Sequence, residues 1–162
     1  MKPIIKRFVR ALGYDISRID KVGVDPFADM KRLLVSPENS TIFGVDANVG
    51  QSTKRFRSRF PLAEIHSFEP SPAVFQILKQ HVASDCYTDA WNCGLGTTNG
   101  SHALLENDDS VFSSFLPLSR QATDVWGGNV KKTSVEVQTI DRFCDDYCIG
   151  NIDILKVRHT GL

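Results

Sequence analysis

At 162 residues the chain has the length of one domain and can bury about 68–70% of its unfolded surface, enough for a core. Its 41% hydrophobic and 23% charged residues match a soluble globular protein, and no apolar run reaches the ~20 residues that span a bilayer. Lys+Arg 19 against Asp+Glu 19 leaves zero net charge, which excludes the overall basic field of a nucleic-acid binder.

In chain order, Ile4, Ile5, Phe8, Val9 and Leu12 recur at helical spacing among Lys2, Lys6, Arg7 and Arg10. The expected element is a short docking helix over 3–12 with a solvated basic face, closed by Gly13, and no stable membrane insertion. No N-terminal apolar run suits a secretory leader, so a cytoplasmic protein with reduced thiols is expected. A second helix is predicted over 27–35, ended by Pro37. Residues 1–40 then form a helical lead-in to a domain over 41–162. There Ile42, Phe43 and Val45 predict a strand, followed by a helix over 50–60 with Phe56 and Phe60 inward. Lys54, Arg55, Arg57 and Arg59 are expected on its solvated face.

Residues 65–68 predict a strand. Ser71-Pro72 starts a helix, with Ser as N-cap and Pro in the first turn, and Val74, Phe75, Leu78 and Val82 face inward. A third strand is expected within 86–96, ending at Gly94-Leu-Gly96. A turn-rich polar section over 97–132 follows, with one short strand at 102–105 and a loop at Gly127-Gly128. Residues 135–139 alternate as a half-buried strand, 140–148 predict a helix, and 152–157 a strand buried on both faces. This alternation predicts a parallel α/β sheet. Cys86, Cys93, Cys144 and Cys148 are expected as packing thiols. Cys144 and Cys148 could share a helix face but lack the spacing and histidine of a metal site, so no metal is expected.

The chemistry concentrates in Thr41-Ile-Phe-Gly-Val-Asp-Ala-Asn-Val-Gly50 and His66-Ser-Phe-Glu-Pro70. A strand, a Gly/Asn loop opening a helix, and a second strand ending in a carboxylate suit a nucleoside cofactor. The loop and helix N-terminus hold the charged tail, and Glu69 takes the two ribose hydroxyls. A dinucleotide site needs G-x-G-x-x-G for close approach to a pyrophosphate. Gly44, Asp46 and Gly50 fail that test, as do Gly94, Gly96 and Gly100. A nicotinamide-dependent oxidoreductase is therefore disfavoured. A loop amide such as Asn48 suits the amino-acid tail of S-adenosylmethionine (SAM).

Phe43–Gln51 is similar to an F-D-V-G-A-N-x-G-Q loop. With Phe68-Glu69-Pro70, the Asn92–Gly96 turn, Ser113-Ser114 before Leu116, Val137–Asp141 and Ile152-Asp-Ile-Leu-Lys156, it resembles the FkbM family of SAM-dependent methyltransferases. Arg10–Tyr14 is similar to a lead-in of that family. The resemblance implies a Rossmann-like class I SAM-methyltransferase sheet and O-methylation of a sugar or polyketide-like hydroxyl on a small-molecule acceptor. Carried over by position, Asp46, Asn48, Gly50 and Glu69 are the cofactor-binding residues. No residue is assigned to catalysis.

Two departures accompany the match. Gly44 and Asp46 stand where the family has Asp and Gly. If both lie on a strand they share a face, and Asp46 still reaches the cofactor's ammonium. A carboxylate ~4 Å from the cofactor carboxylate would also cost about 4 kcal/mol at an effective dielectric near 20. The second departure is Arg158, followed by His159, where the family has an Asp near the transfer centre. The expected fold is thus a partial sheet lacking its C-terminal strands. The alternative function is a catalytically dead SAM-binding remnant or interaction module.

Overall fold

The computed structural model describes residues 22–106, 113–115 and 131–157. The expected N-terminal helix, Gly13, the Gly127-Gly128 loop, Leu116, Arg158 and His159 lie outside the described residues. The chain divides into two compact units, Met1–Val35 and Ser36–Leu162. In the first, helix α1 (Pro26–Leu33) is capped by Asp25, whose Oδ1 accepts the Phe27 and Ala28 N–H groups. It begins and ends one to two residues earlier than the apolar spacing predicts, because Asp25-Pro26 supplies both cap and first-turn proline.

The second unit carries two four-stranded sheets. The first has the order β3-β2-β1-β8 and is wholly parallel: β1 (Thr41–Val45), β2 (Glu64–Phe68), β3 (Thr88–Trp91) and β8 (Ile154–Val157). Helices α2 (Gln51–Arg59) and α3 (Pro72–Val82) connect β1 to β2 and β2 to β3. The other sheet has the order β4-β7-β5-β6, from β4 (Gly94–Leu95), β5 (Gly100–Glu106), β6 (Ser113–Ser114) and β7 (Lys131–Gln138). There β4 runs parallel to β7, while β5 is antiparallel to β6 and β7. Helix α4 (Ile140–Tyr147) leads from this sheet back towards β8.

Strand β1 lies between β2 and β8, and Ile42 and Phe43 are fully buried on its opposite faces. Phe43, Val45, Phe68, Cys93, Leu95 and Phe143 form one apolar cluster, with Phe143 of α4 edge-on to Phe43 and Phe68. Ile42 pairs with Ile65 on the other face, and Phe56 and Phe60 of α2 are buried as predicted. Ser71 caps α3 by accepting the Val74 N–H, and Val74 and Leu78 are its buried residues. One residue fixes the register of β8: Asp153 donates its backbone N–H to Thr41 O and accepts the Thr41 N–H on Oδ2, both at 2.9 Å.

Several expectations need correction. The single strand over 86–96 is two strands in different sheets, because Asn92 turns the chain by donating to the carbonyls of Glu69 and Pro70. The section over 97–132 contributes a seven-residue strand, β5, to a mixed sheet, not a mere turn-rich connection. Strand β8 starts at Ile154 and is not buried on both faces: Leu155 and Val157 are 46% and 58% exposed. Among the described residues β8 is an end strand of its sheet. Arg57 is not a solvated charge. Its guanidinium meets Asp85 at 2.6 Å and donates to the carbonyls of Phe60, Pro61 and Tyr87 and to Thr88 Oγ1. Of the cysteines only Cys93 is buried, while Cys86 and Cys148 are exposed.

Candidate cofactor site

In a parallel sheet all strand carboxyl ends face one edge, and ligands bind in the crevice there, where the chain direction of successive connections reverses. Here that switch lies between β1, followed in the sheet by β2, and its other neighbour β8. The sequence-predicted residues come together at this edge. Asp46, Asn48 and Gly50 form the β1–α2 loop, and Glu69 follows β2.

The loop is built from left-handed backbone. Asp46, Asn48 and Gly50 have φ of 56°, 52° and 94°. Aspartate and asparagine are the side chains that tolerate this region best, which is why Asp46 can occupy a position where glycine would be unstrained. Gly50 has no such latitude, because a Cβ there would lie 3.1 Å from Leu78 Cδ1. Since β1 ends at Val45 and Asp46 turns away, strand alternation does not place Asp46 on the face of Gly44. That part of the sequence argument fails.

Glu69 is 1% exposed, so it is not a solvated strand-end carboxylate. Its Oε2 accepts the Asn48 N–H at 2.8 Å and its Oε1 accepts the Ser71 N–H at 3.0 Å. One side chain therefore ties the loop after β1 to the loop after β2. Burial pushes its pKa up to about 7, with the neighbouring Asp46 and Glu106 carboxylates adding to the rise. The Ser71 and Asn48 amides oppose it.

Three residues of this edge are not among the cofactor-binding residues that the sequence assigns. Glu106, at the end of β5, accepts hydrogen bonds from the Ser71 and Thr133 hydroxyls and so links the second sheet to the α3 cap. In the sequence Ser71 reads as a helix cap alone. Lys156 lies opposite Gly44 in the register of β8 with β1, and its Nζ donates to Val45 O at 3.3 Å and Asp46 O at 3.5 Å. The Ile-Asp-x-Leu-Lys spacing marked Lys156 in the sequence, but only the pairing brings it to the loop.

The donor set fits a nucleoside with a zwitterionic tail. Each Glu69 oxygen has two lone pairs, and a single amide occupies one of them, so the fixed carboxylate keeps acceptor capacity for hydroxyl groups. The ammonium of Lys156 and the carboxylate of Asp46 offer opposite charges at the neighbouring loop. A cleft of about 610 Å³ between α2 and α3 shares Val49 and Gly50 with this loop and lies along the helices. Two of its polar residues are committed internally, Arg57 to Asp85 and His81 through Nδ1, 2.7 Å from Val49 O.

A second cluster, Glu64, His66 and Asp89, lies towards the opposite ends of β2 and β3, with ligand-type atoms within 4.8 Å of one another. His66 Nε2 is buried and 3.3 Å from Glu64 Oε1, close but without a full hydrogen bond. Its other nitrogen decides the chemistry. Trp91 Nε1, which can only donate, bonds His66 Nδ1 at 3.2 Å. Nδ1 is then the acceptor and Nε2 carries the proton of the neutral ring. A metal ligand needs the reverse tautomer. The cluster as bonded suits an N–H facing two carboxylates, not a cation. No helix among the described residues is long and apolar enough to cross a membrane.

Comparison with known proteins finds methyltransferases. The methyltransferase sdnD of Sordaria araneosa is 24% identical over 179 residues, covering 91% of this chain and 68% of that protein. Methyltransferase 1 of Beauveria bassiana (strain ARSEF 2860) is 31% identical over 70 residues, covering 42% of this chain and 28% of its own length. A crystal structure from Staphylococcus aureus, assigned as a caffeoyl-CoA O-methyltransferase, matches 54% of this chain and 41% of its own at 16% identity. Its TM-score of 0.33 is too low to add to the topology above. The pattern of the Methyltransferase FkbM domain matches residues 44–157, most of the second unit, and the chain belongs to that family.

Proposed function

We propose that the domain binds SAM at the carboxyl edge of β1, β2 and β8 and methylates a hydroxyl of a small-molecule acceptor of the sugar or polyketide class. The observation that carries this reading is Glu69, buried beside the β1–α2 loop with its carboxylate oriented by the Asn48 and Ser71 amides. In this reading Glu69 accepts the ribose hydroxyls through its remaining lone pairs. Asn48 and Gly50 line the methionine end, and Asp46 at the turn of the same loop supplies the negative charge for the ammonium. Membership of the FkbM family and the names of the two relatives support the reaction class.

What bound SAM supplies is an electrophilic methyl group on a sulfonium. The chain's own contribution is placement: a loop closed by its own amide hydrogen bonds, and a carboxylate whose position is set before the ligand arrives. Such preorganisation lowers the ordering cost of binding.

Calorimetric titration with SAM and with NAD, followed by a turnover assay with sugar and polyketide-like hydroxyl acceptors, tests the proposal. The expected result is saturable SAM binding, no heat with NAD, and methylated product from one acceptor class. Binding of NAD in place of SAM would replace this reading by an oxidoreductase. SAM binding without turnover on any acceptor would reduce it to a binding remnant.

A further inference from the structure

We propose that Lys156 receives the carboxylate of the cofactor's amino-acid tail. This rests on the SAM reading above and assigns a binding role that neither the loop nor the end of β2 supplies. Three observations carry it.

The first is position. Lys156 pairs in register with Gly44 across the two strands that flank the switch point. Its stem runs beside a residue with no side chain, and its Nζ reaches the carbonyls of Val45 and Asp46, where β1 turns into the loop. The ammonium is therefore held at the point where the tail is expected.

The second is the surrounding charge. Asp46 and Glu106 both lie close enough to Glu69 to raise its pKa. Three carboxylates near one edge would repel an incoming carboxylate, and the tail of SAM carries one. Lys156 brings the opposite sign to the same loop. The third is the start of α2. Its N-cap, Gly50, closes the β1–α2 loop, and the helix end adds positive potential to that loop.

The competing role for Lys156 is to cap the last carbonyls of β1 and do nothing else. Two ligands separate the roles. SAM carries the amino-acid tail, and 5′-methylthioadenosine presents the same nucleoside without it. Both would be titrated calorimetrically into the wild-type chain, Lys156→Met and Lys156→Arg, with thermal melts of all three. Lys156→Met should weaken SAM binding by tenfold to a hundredfold, the range for loss of a charge-assisted bond. It should leave 5′-methylthioadenosine affinity within twofold of wild type. Lys156→Arg, which keeps the charge, should hold SAM affinity within about fivefold even if Lys156→Met melts early. Equal losses for both ligands, or no loss for SAM, would overturn the assignment while leaving the SAM site in place. A wild-type chain that binds neither ligand would instead remove the site itself.

Discussion

The carboxylate of Glu69 accepts the backbone N–H of Asn48 at 2.8 Å, across 21 residues of sequence, inside a region closed to solvent. With its second bond to Ser71, this makes Glu69 a structural tie between two loops as well as the proposed ribose ligand. Glu69→Ala should therefore destabilise the fold, because it leaves two amide donors without their acceptor and opens a cavity, at about 1–3 kcal/mol for each unsatisfied group. A urea melt of the variant checks this.

The same residue sets a pH dependence. Its pKa rises from 4.5 to about 7 on folding. Between those values the folded chain holds a proton that the unfolded chain has released, so stability falls as pH rises from 4.5 to 7. The full span corresponds to about 3 kcal/mol. His66 acts in the opposite sense. Burial lowers its pKa below 6.5, so the stability it contributes is lost as pH falls through that region. Unfolding free energies at pH 5, 6, 7 and 8 should show a shallower fall than Glu69 alone gives. Glu69→Gln should remove the downward component and leave a rise with pH.

Asp46→Gly should stabilise the fold by about 1 kcal/mol, since φ of 56° costs an aspartate what it does not cost glycine. It should also lower the pKa of Glu69 by removing a neighbouring charge. Gly50→Ala should do the reverse and cost about 2 kcal/mol, from strain at φ of 94° and crowding against Leu78. Chemical denaturation of the two variants beside wild type measures both signs. A stabilised Gly50→Ala would mean that the loop can relax out of its left-handed course.

Arg57→Lys should destabilise by about 2 kcal/mol despite the retained charge. A lysine cannot span Asp85, three carbonyls and Thr88 as the planar guanidinium does. Burial works against ionisation of Asp85, but bonds from Thr88, Arg57 and the Tyr87 amide hold its pKa below the ordinary value. Acidification through that range should erase part of the difference between the two proteins.

Zinc added in small excess should leave the wild-type melting temperature unchanged, because His66 offers the metal a proton and not a lone pair. Trp91→Phe removes the donor that enforces this tautomer. In that variant Glu64, His66 and Asp89 become competent ligands, and zinc should raise its melting temperature by several degrees. Wild-type stabilisation by zinc that depends on His66 would show the tautomer argument to be wrong.

The elements whose determinants are local were legible in the sequence. The buried run of β1, the Ser-Pro start of α3, the inward Phe56 and Phe60 of α2 and the capped helix α4 all follow from neighbours in the chain. So does the gathering of the loop with Glu69, from the strand–loop–helix–strand order, but not the left-handed turn at Asp46, which reads in the sequence as a continuation of β1. What escaped was set by partners far along the chain. The break between β3 and β4 depends on Asn92 reaching back to Glu69 and Pro70. The internal pairing of Arg57 depends on a loop some thirty residues away. Glu106 joined the site because β5 pairs with β7, and no pattern around Leu104-Leu105-Glu106 announces that.

Asp153 gives the placement of Lys156 an unexpected origin. By clasping both backbone polar groups of Thr41, it acts as a datum from which β8 is measured out along β1. Three residues further on, ~10 Å at strand rise, that measurement delivers the ammonium to the carbonyls of Val45 and Asp46. A slip of one residue would turn the lysine to the opposite face of the sheet. The charge at the ligand edge is thus calibrated from the far end of the strand, by a residue that no cofactor would touch.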